Sequence, residues 1–459
     1  MSTIIVDKSG TGNTDSIKKA IDMANIGDTI QVYSGTYTEF VVVHKKLNLL
    51  GINTGSGIPI IESNWIGDTV VLTADGITIS NFRITNPNKT VPRNQSGIAT
   101  KSNNNYISNN EIYNNSLGIS ITDKNNNIIV DNNIHNTYSN AIDISNSSRN
   151  TIDNNIISNS MNSGISIYNN SNDNNITTNN ISSCVLGIFM ENVMNNEIKN
   201  NNTIYNISLF GIYMKNVQNN KIMTNTIKDF ITQSGTYGIY IQESSYNNIY
   251  NNTIYNIKST SLGGDGIYVF GSSVHDNVIE LNNISDCKVG ISVQKQSAGL
   301  YDTIKDNTTQ NNNYGLSILP TKYLKIIDNN INDRVHLSSL NNSEFKNNII
   351  NADTKFYSCS NINVIDNDFN NSRITFMYTT NSNIYLNNFI NCQISDNMTN
   401  NWDNGSQGNY YGTCIDSNND GICDSPKSIP GGGSVDRYPL STLVYHGGCT
   451  LPIVNISLT

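Results

Sequence analysis

The stretch Asn154-Asn155-Ile156-Ile157-Ser158-Asn159-Ser160-Met161-Asn162-Ser163-Gly164-Ile165-Ser166-Ile167 decides the fold, because both of its phrases recur. Gly-Ile-x-apolar returns at Gly97, Gly118, Gly164, Gly187, Gly211, Gly238, Gly266, Gly290 and Gly315, with Ala141 in place of glycine once. The intervals run from 21 to 28 residues, the period of a solenoid. Between these phrases stands Asn-Asn-apolar, as at Asn132-Asn133-Ile134, Asn179-Asn180-Ile181, Asn282-Asn283-Ile284, Asn329-Asn330-Ile331 and Asn347-Asn348-Ile349. It persists as Asn367-Asp368-Phe369 and Asn387-Asn388-Phe389. Ile-x-Ile alternation is a strand with one buried face. Three short strands per repeat leave no room for a helix. The expected fold is all-β: a single-stranded right-handed parallel β-helix, with isoleucine stacked inside and asparagine at the corners. There asparagine tolerates left-handed backbone and its amide can bond to the next winding.

Composition agrees. Of 459 residues, 85 are asparagine, and only 14 % are charged against an ordinary level of about 25 %. Without the period this would describe a disordered polar tract. Net charge is −9 and no Lys/Arg cluster stands out in the sequence, which argues against a nucleic-acid partner. Apolar runs such as Val41–Val43 are far too short to span a bilayer. Met1-Ser2-Thr3-Ile4 does not open a secretory signal. Seven cysteines cannot all pair within the chain.

Three regions are expected: a cap and first coils over 1–60, repeats over 61–400, and a Gly/Pro/Cys-rich segment over 401–459. Ser16–Ala24 has helical apolar spacing after a Thr/Asp cap region and predicts a short capping helix.

The run from Ala20 to Gly51, AIDMANIGDTIQVYSGTYTEFVVVHKKLNLLG, resembles the opening coils of the pectin-lyase-like superfamily. The repeats resemble those of NosD-like proteins and of carbohydrate-binding and sugar-hydrolysis (CASH) β-helices. Gly408–Leu440 is similar to the C-terminal motif of NosD-like proteins, including archaeal surface proteins. The resemblance implies a non-catalytic extracellular, cell-surface or periplasmic module that binds glycans or presents a surface, with self-association open. Two rivals accompany it: a polysaccharide lyase, hydrolase or epimerase on the same scaffold, and an accessory protein for copper-enzyme maturation.

Asp416-Ser417-Asn418-Asn419-Asp420-Gly421-Ile422-Cys423-Asp424 has the ligand order of a calcium loop. Oxygens come from Asp416, Asn418, Asp420 and Asp424, with the Ile422 carbonyl at the seventh position and Gly421 at the turn. Lys427 stands where a bidentate Glu would be, so a ligand from elsewhere is needed, and Asp436 is the candidate. The alternative is an Asx-rich turn without metal. Cys414 and Cys423 bracket the loop; they are either a disulfide or two free thiols. Cys184 and Cys287 sit about four coils apart, beyond disulfide reach.

Phe189, Tyr213, Tyr240 and Tyr268 occupy the outward position of four successive Gly-Ile phrases. They are either a platform for the CH-rich faces of sugars or cross-strand stacking that stabilises the sheet. Asp143 shares that position with Ser120 and Ser166 as neighbours. Neither paired acids nor an acid with Arg or Lys are visible beside it, so nothing marks a catalytic centre. His44, His135, His275, His336 and His446, with Met190, Met194, Met214 and Met223, are the soft ligands available for copper, and they are scattered.

Overall fold

In the phrase Asn154-Asn155 the two asparagines do different work. Asn154 has φ 49°, the left-handed conformation that turns the corner. Asn155 is buried, and its amide leaves no group unpaired. Its Nδ2 donates to Oδ1 of Asn179 on the next winding (3.0 Å), to the Ile129 carbonyl (3.0 Å) and to the Asp153 carbonyl (2.9 Å). Its Oδ1 accepts the N–H and Nδ2 of Asn132. This unit repeats as a ladder. A buried polar group is tolerated only when so satisfied.

The structure, a computed structural model, describes residues 2–64, 67–86, 95–232, 235–295 and 300–445. The chain divides into two units, Met1–Asn248 with Asn252–Gly264, and Ile249–Asn251 with Asp265–Thr459. Each is a parallel β-solenoid, and together they make about sixteen turns.

In the first unit Tyr106–Ser108, Glu111–Tyr113 and Leu117–Thr122 form one winding. They pair in parallel with Ile128–Val130, Asn133–His135 and Ile142–Ser145 of the next. One ladder runs from Asn105 through Asn127, Asn150, Asn174, Asn196 and Asn220 to Asn247. A second runs from Asn110 to Asn252. Ile119, Ile142, Ile165, Ile188, Ile212 and Ile239 stack inside with no solvent exposure. Burying each contributes roughly 2 kcal/mol. The glycine of the phrase is needed where strand meets corner. A Cβ at Gly187 would stand 2.4 Å from the Gly211 carbonyl oxygen and 2.6 Å from Ile204 Cγ2.

The helix is Ile17–Met23, with Ser16 as its N-cap. Glu39 accepts the N–H groups of Ile17 and Lys18, and Lys45 Nζ donates to the carbonyls of Ile21, Asp22 and Ala24. One carboxylate and one ammonium thus serve the unpaired groups at both helix ends.

The second unit repeats the plan. Its ladder runs from Asn282 through Asn307, Asn329, Asn348 and Asn367 to Asn387 and Asn409. At one rung of a neighbouring column Asp302 replaces asparagine: its Oδ1 accepts the N–H and Nδ2 of Asn277. The buried carboxylate is matched by Lys295, whose Nζ lies 2.7 Å from Oδ2 and whose side chain has no exposure. Among the described residues Gln393–Asp396 is the last strand to join the three parallel sheets, and beyond it single bridges at Asn401 and Tyr410 continue the pairing. Trp402, 1 % exposed, packs on Phe376 and Phe389 at ring distances of 5.3 and 6.1 Å, and its Nε1 donates to Asp396.

One expectation needs correcting. The phrase Asn-Asn-Ile occurs in two registers. At 132, 179, 282 and 329 the first asparagine is the buried one, and the isoleucine points inward. At 154 and 347 the second asparagine is buried, so Ile156 is 56 % exposed and Ile349 half-buried, while Ile157 and Ile350 fill the core. A one-residue slip in a strand exchanges its faces.

Candidate functional site

On the Gly-Ile sheet of the first unit, Leu186–Glu191, Phe210–Lys215 and Tyr237–Gln242 lie in register. Ile188, Ile212 and Ile239 point inward, so Phe189, Tyr213 and Tyr240 point outward and are half-buried. The Tyr213 and Tyr240 rings stack at 5.1 Å and 7°, and Phe189 tilts onto Tyr213 at 5.4 Å. The residue before each glycine adds a second column, Leu186, Phe210 and Tyr237. Phe210 meets Tyr213 and Tyr240 edge-on at 5.0 and 5.1 Å, and Tyr237 tilts onto Tyr240 at 5.3 Å. Five rings thus form one patch. Sequence reasoning missed Phe210 and Tyr237 because strict alternation assigns the residue before Gly to the inside. The corner at the glycine reverses it.

A polar row borders the rings. Glu191, Lys215 and Gln242 are in register. Lys215 Nζ pairs with Glu191 at 2.7 Å, and the Tyr213 hydroxyl donates to Gln242. Burial raises the Tyr213 phenol. Tyr268, expected as the fourth ring, belongs to the second unit. There its hydroxyl donates to Gln294 Oε1 at 3.2 Å and its ring lies 6.0 Å from Phe270.

Ser120, Asp143 and Ser166 occupy the outward column of earlier windings, in register. Asp143 is buried. It accepts Asn140 Nδ2 at 2.7 Å and the Tyr168 hydroxyl at 2.9 Å. Burial raises the Asp143 carboxyl, and the Tyr168 phenol is pushed up to about 12, by burial first and then by the Asp143 charge. The partners of the carboxylate are therefore an amide and a phenol. Tyr168 is the in-register neighbour of Glu191, so this pair adjoins the aromatic patch.

In the C-terminal segment Cys414 and Cys423 form a disulfide, Cα–Cα 5.8 Å. The loop between them turns on its own oxygens. Asp416 accepts the N–H groups of Asp420 and Gly421 and the Ser441 hydroxyl. Asp420 accepts Ile422 N–H and Asn418 Nδ2. Both Asp424 oxygens accept from Ser417, which lowers its carboxyl. Asp436, the outside ligand expected, is taken up elsewhere. It is fully buried, and its carboxylate accepts from Asn409 N, Asn409 Nδ2, Tyr411 Oη and Tyr438 N. It ends the asparagine ladder, and burial pushes its carboxyl up to about 6. Among the described residues there is no group of three or more His, Cys, Asp or Glu that could hold a metal ion. Nor is any helix among them long and apolar enough to cross a membrane. Cys184, Cys287 and Cys359 are buried thiols outside the disulfide.

Two family models match the sequence: "Right handed beta helix region" over residues 163–331 and "Periplasmic copper-binding protein (NosD)" over 61–232. No curated protein matches it significantly. Among solved structures, the A-module of mannuronan C-5 epimerase AlgE6 from Azotobacter vinelandii is 15 % identical with a TM-score of 0.55, over 71 % of this chain and 93 % of that one. The AlgE4 A-module of the same organism gives 15 % and 0.49, over 66 % and 92 %. PfbA, a surface adhesin of Streptococcus pneumoniae, gives 14 % and 0.40, over 80 % and 87 %. At these identities the likeness concerns the fold alone. The second family description names copper, and among the described residues no group of three or more His, Cys, Asp or Glu gathers to hold it. His135 stacks on Tyr113 and bonds Glu111, His275 bonds Asp276, and His336 lies beside Lys355. Met190 and Met214 are core, and His446 lies outside the described residues.

Proposed function

We propose that this NosD-like right-handed β-helix protein of the pectin-lyase fold is a non-catalytic module of the cell envelope or cell surface that binds glycans. The observation that carries the proposal is the patch of Phe189, Phe210, Tyr213, Tyr237 and Tyr240, five half-buried rings on one sheet. Flat apolar faces with phenol edges suit the CH faces of sugars, and aromatics left half in water at a sheet surface are matched to such a ligand. Glu191, Lys215 and Gln242 beside them offer hydrogen bonds to hydroxyls. The Cys414–Cys423 disulfide supports an oxidising compartment. Tyr213→Ala with Tyr240→Ala is expected to weaken glycan retention about tenfold per ring, about 1.4 kcal/mol each. Unchanged binding in a glycan array or by calorimetry assigns the rings to packing instead.

A second reading is catalysis on the same face, favoured by the buried Asp143–Tyr168 pair adjoining the patch. Prolonged incubation with polysaccharides, followed by product analysis, supports it only if new products appear and Asp143→Asn abolishes them. Calcium at Asp416, Asn418, Asp420, Ile422 and Asp424 is a further proposal, resting on the spacing of their oxygens. It requires the turn bonds of the loop to open. A melting temperature that rises with calcium and falls with chelator supports it, and identical melts remove it.

A further inference from the structure

The Gly-Ile sheet of the second unit presents charge where that of the first presents rings. Val335–Ser338, Thr354–Tyr357 and Arg373–Met377 lie in register. His336 and Lys355 are neighbours in the outward column. Arg334, Asp353 and Arg373 stand two residues before that column, where the same three strands begin, and are exposed. These residues line a cleft of about 400 Å³, and an adjoining cleft of about 450 Å³ shares Tyr314 and Arg334.

The charges in the cleft are not balanced. None of the described ion pairs includes Arg334, Lys355 or Arg373. Asp353, its one carboxylate, accepts the Arg373 backbone N–H on Oδ1 at 2.8 Å. In the adjoining cleft both oxygens of Asp333 are taken by Asn312. The whole chain carries 36 acidic against 27 basic residues, yet here three unpaired cations and a histidine face one acid. Like charges held together repel, and an anion between them removes the repulsion. Each guanidinium fork can donate to two oxygens of one carboxylate or one sulfate. Rings flank the charges: Lys355 Nζ lies 4.8 Å over Tyr357, and Tyr314 lies 6.4 Å from His336.

We infer that the cleft formed by Arg334, His336, Lys355 and Arg373 binds an oxyanion, the carboxylate or sulfate of an acidic glycan. A long nucleic acid is disfavoured because the cationic area spans three windings of a chain whose net charge is −9. The inference uses no ring of the aromatic patch, so the two sites fail independently.

The test is calorimetry on the full chain at 50 mM salt with a hexameric uronate, a sulfated hexasaccharide, single-stranded DNA of equal charge, and inorganic phosphate. Uronate or sulfated oligosaccharide is expected to bind. Arg334→Ala with Arg373→Ala should weaken binding at least tenfold, Lys355→Gln severalfold, and 300 mM salt should weaken the wild type further. Lys322→Gln, at an exposed lysine on a different sheet of the same unit, should leave it unchanged. Melting curves check that each variant folds, and Lys355→Gln serves if the double variant does not. The inference is overturned if neither oligosaccharide binds, or if Lys322→Gln weakens binding as much as the cleft variants do. Tighter binding of the DNA reassigns the cleft to nucleic acid, and phosphate competing at the same concentration as the oligosaccharide reduces it to a simple ion site.

Discussion

In the first unit the inward column is isoleucine and the outward one, from Phe189 to Tyr240, is aromatic. In the last windings of the second unit the rings are inside. Phe345, Phe356, Phe369, Phe376 and Phe389 are buried, with Phe356 stacked on Phe376 at 4.4 Å and Phe369 on Phe389 at 5.2 Å. His336 and Lys355 stand outside. What both units keep is the buried asparagine of each winding, bonded to the one after it. The polar ladder and the parallel pairing therefore define the fold. The inward column need only be apolar, and the outward column is left to function.

The comparison breaks most visibly at the rung where Asp302 is paired with Lys295. Lys295→Met leaves Asp302 buried without its cation and should cost the second unit about 3–5 kcal/mol. Adding Asp302→Asn restores a neutral ladder and should recover most of the loss in urea denaturation. Absence of recovery would show that Lys295 matters through its stem and not its charge.

Next come the neutral rungs. Asn202→Ala in the first unit and Asn348→Ala in the second each remove five side-chain hydrogen bonds. Losses of about 2–3 kcal/mol are expected, similar in the two units. Hydrogen exchange resolved by peptide reads each unit separately, and a marked inequality would sink the idea that the ladder is their shared support.

The smallest effect is on pH. Burial raises the carboxyls of Asp265, Asp306, Asp333 and Asp436 in the second unit and that of Asp143 in the first, with Asp265 and Asp436 reaching about 6. The unfolded chain releases these protons near 3.9. Between about pH 4 and 6 it binds fewer protons than the folded state, so their contribution to stability falls as pH rises through that window. The second unit should lose more of it than the first, and Asp265→Asn should flatten the profile. Asp403 acts in the opposite sense. Its carboxyl is held low by Arg437, and its contribution is present at neutral pH and lost as pH falls through its folded pKa.

The period and the Ile-x-Ile alternation made the solenoid legible in sequence, and so did the capping helix with Ser16 at its start. The position of Ile156 was not, because Asn-Asn-Ile reads the same in both registers. Phe210 and Tyr237 were hidden by the corner at glycine. Asp436 was drawn to the nearby acidic loop, whereas its partners come from Asn409, Tyr411 and Tyr438. The basic cleft was invisible because Arg334, Lys355 and Arg373 are about 20 residues apart in sequence and meet only once the windings are stacked. Local phrases report the backbone; a surface site belongs to the register between turns.

The ladder also has a direction. From Asn282 to Asn409 the backbone N–H of each buried asparagine donates to Oδ1 of the next, and the row ends on the Asp436 carboxylate. Aligned amides polarise one another, so the anion sits where their dipoles converge, much as an acidic side chain sits at a helix N-terminus. A whole winding, from one buried asparagine to the next, could therefore be duplicated or excised and the row would rejoin with the same chemistry. The terminus offers no such freedom. Copying units in the middle can lengthen such a protein, but only one end carries the stop.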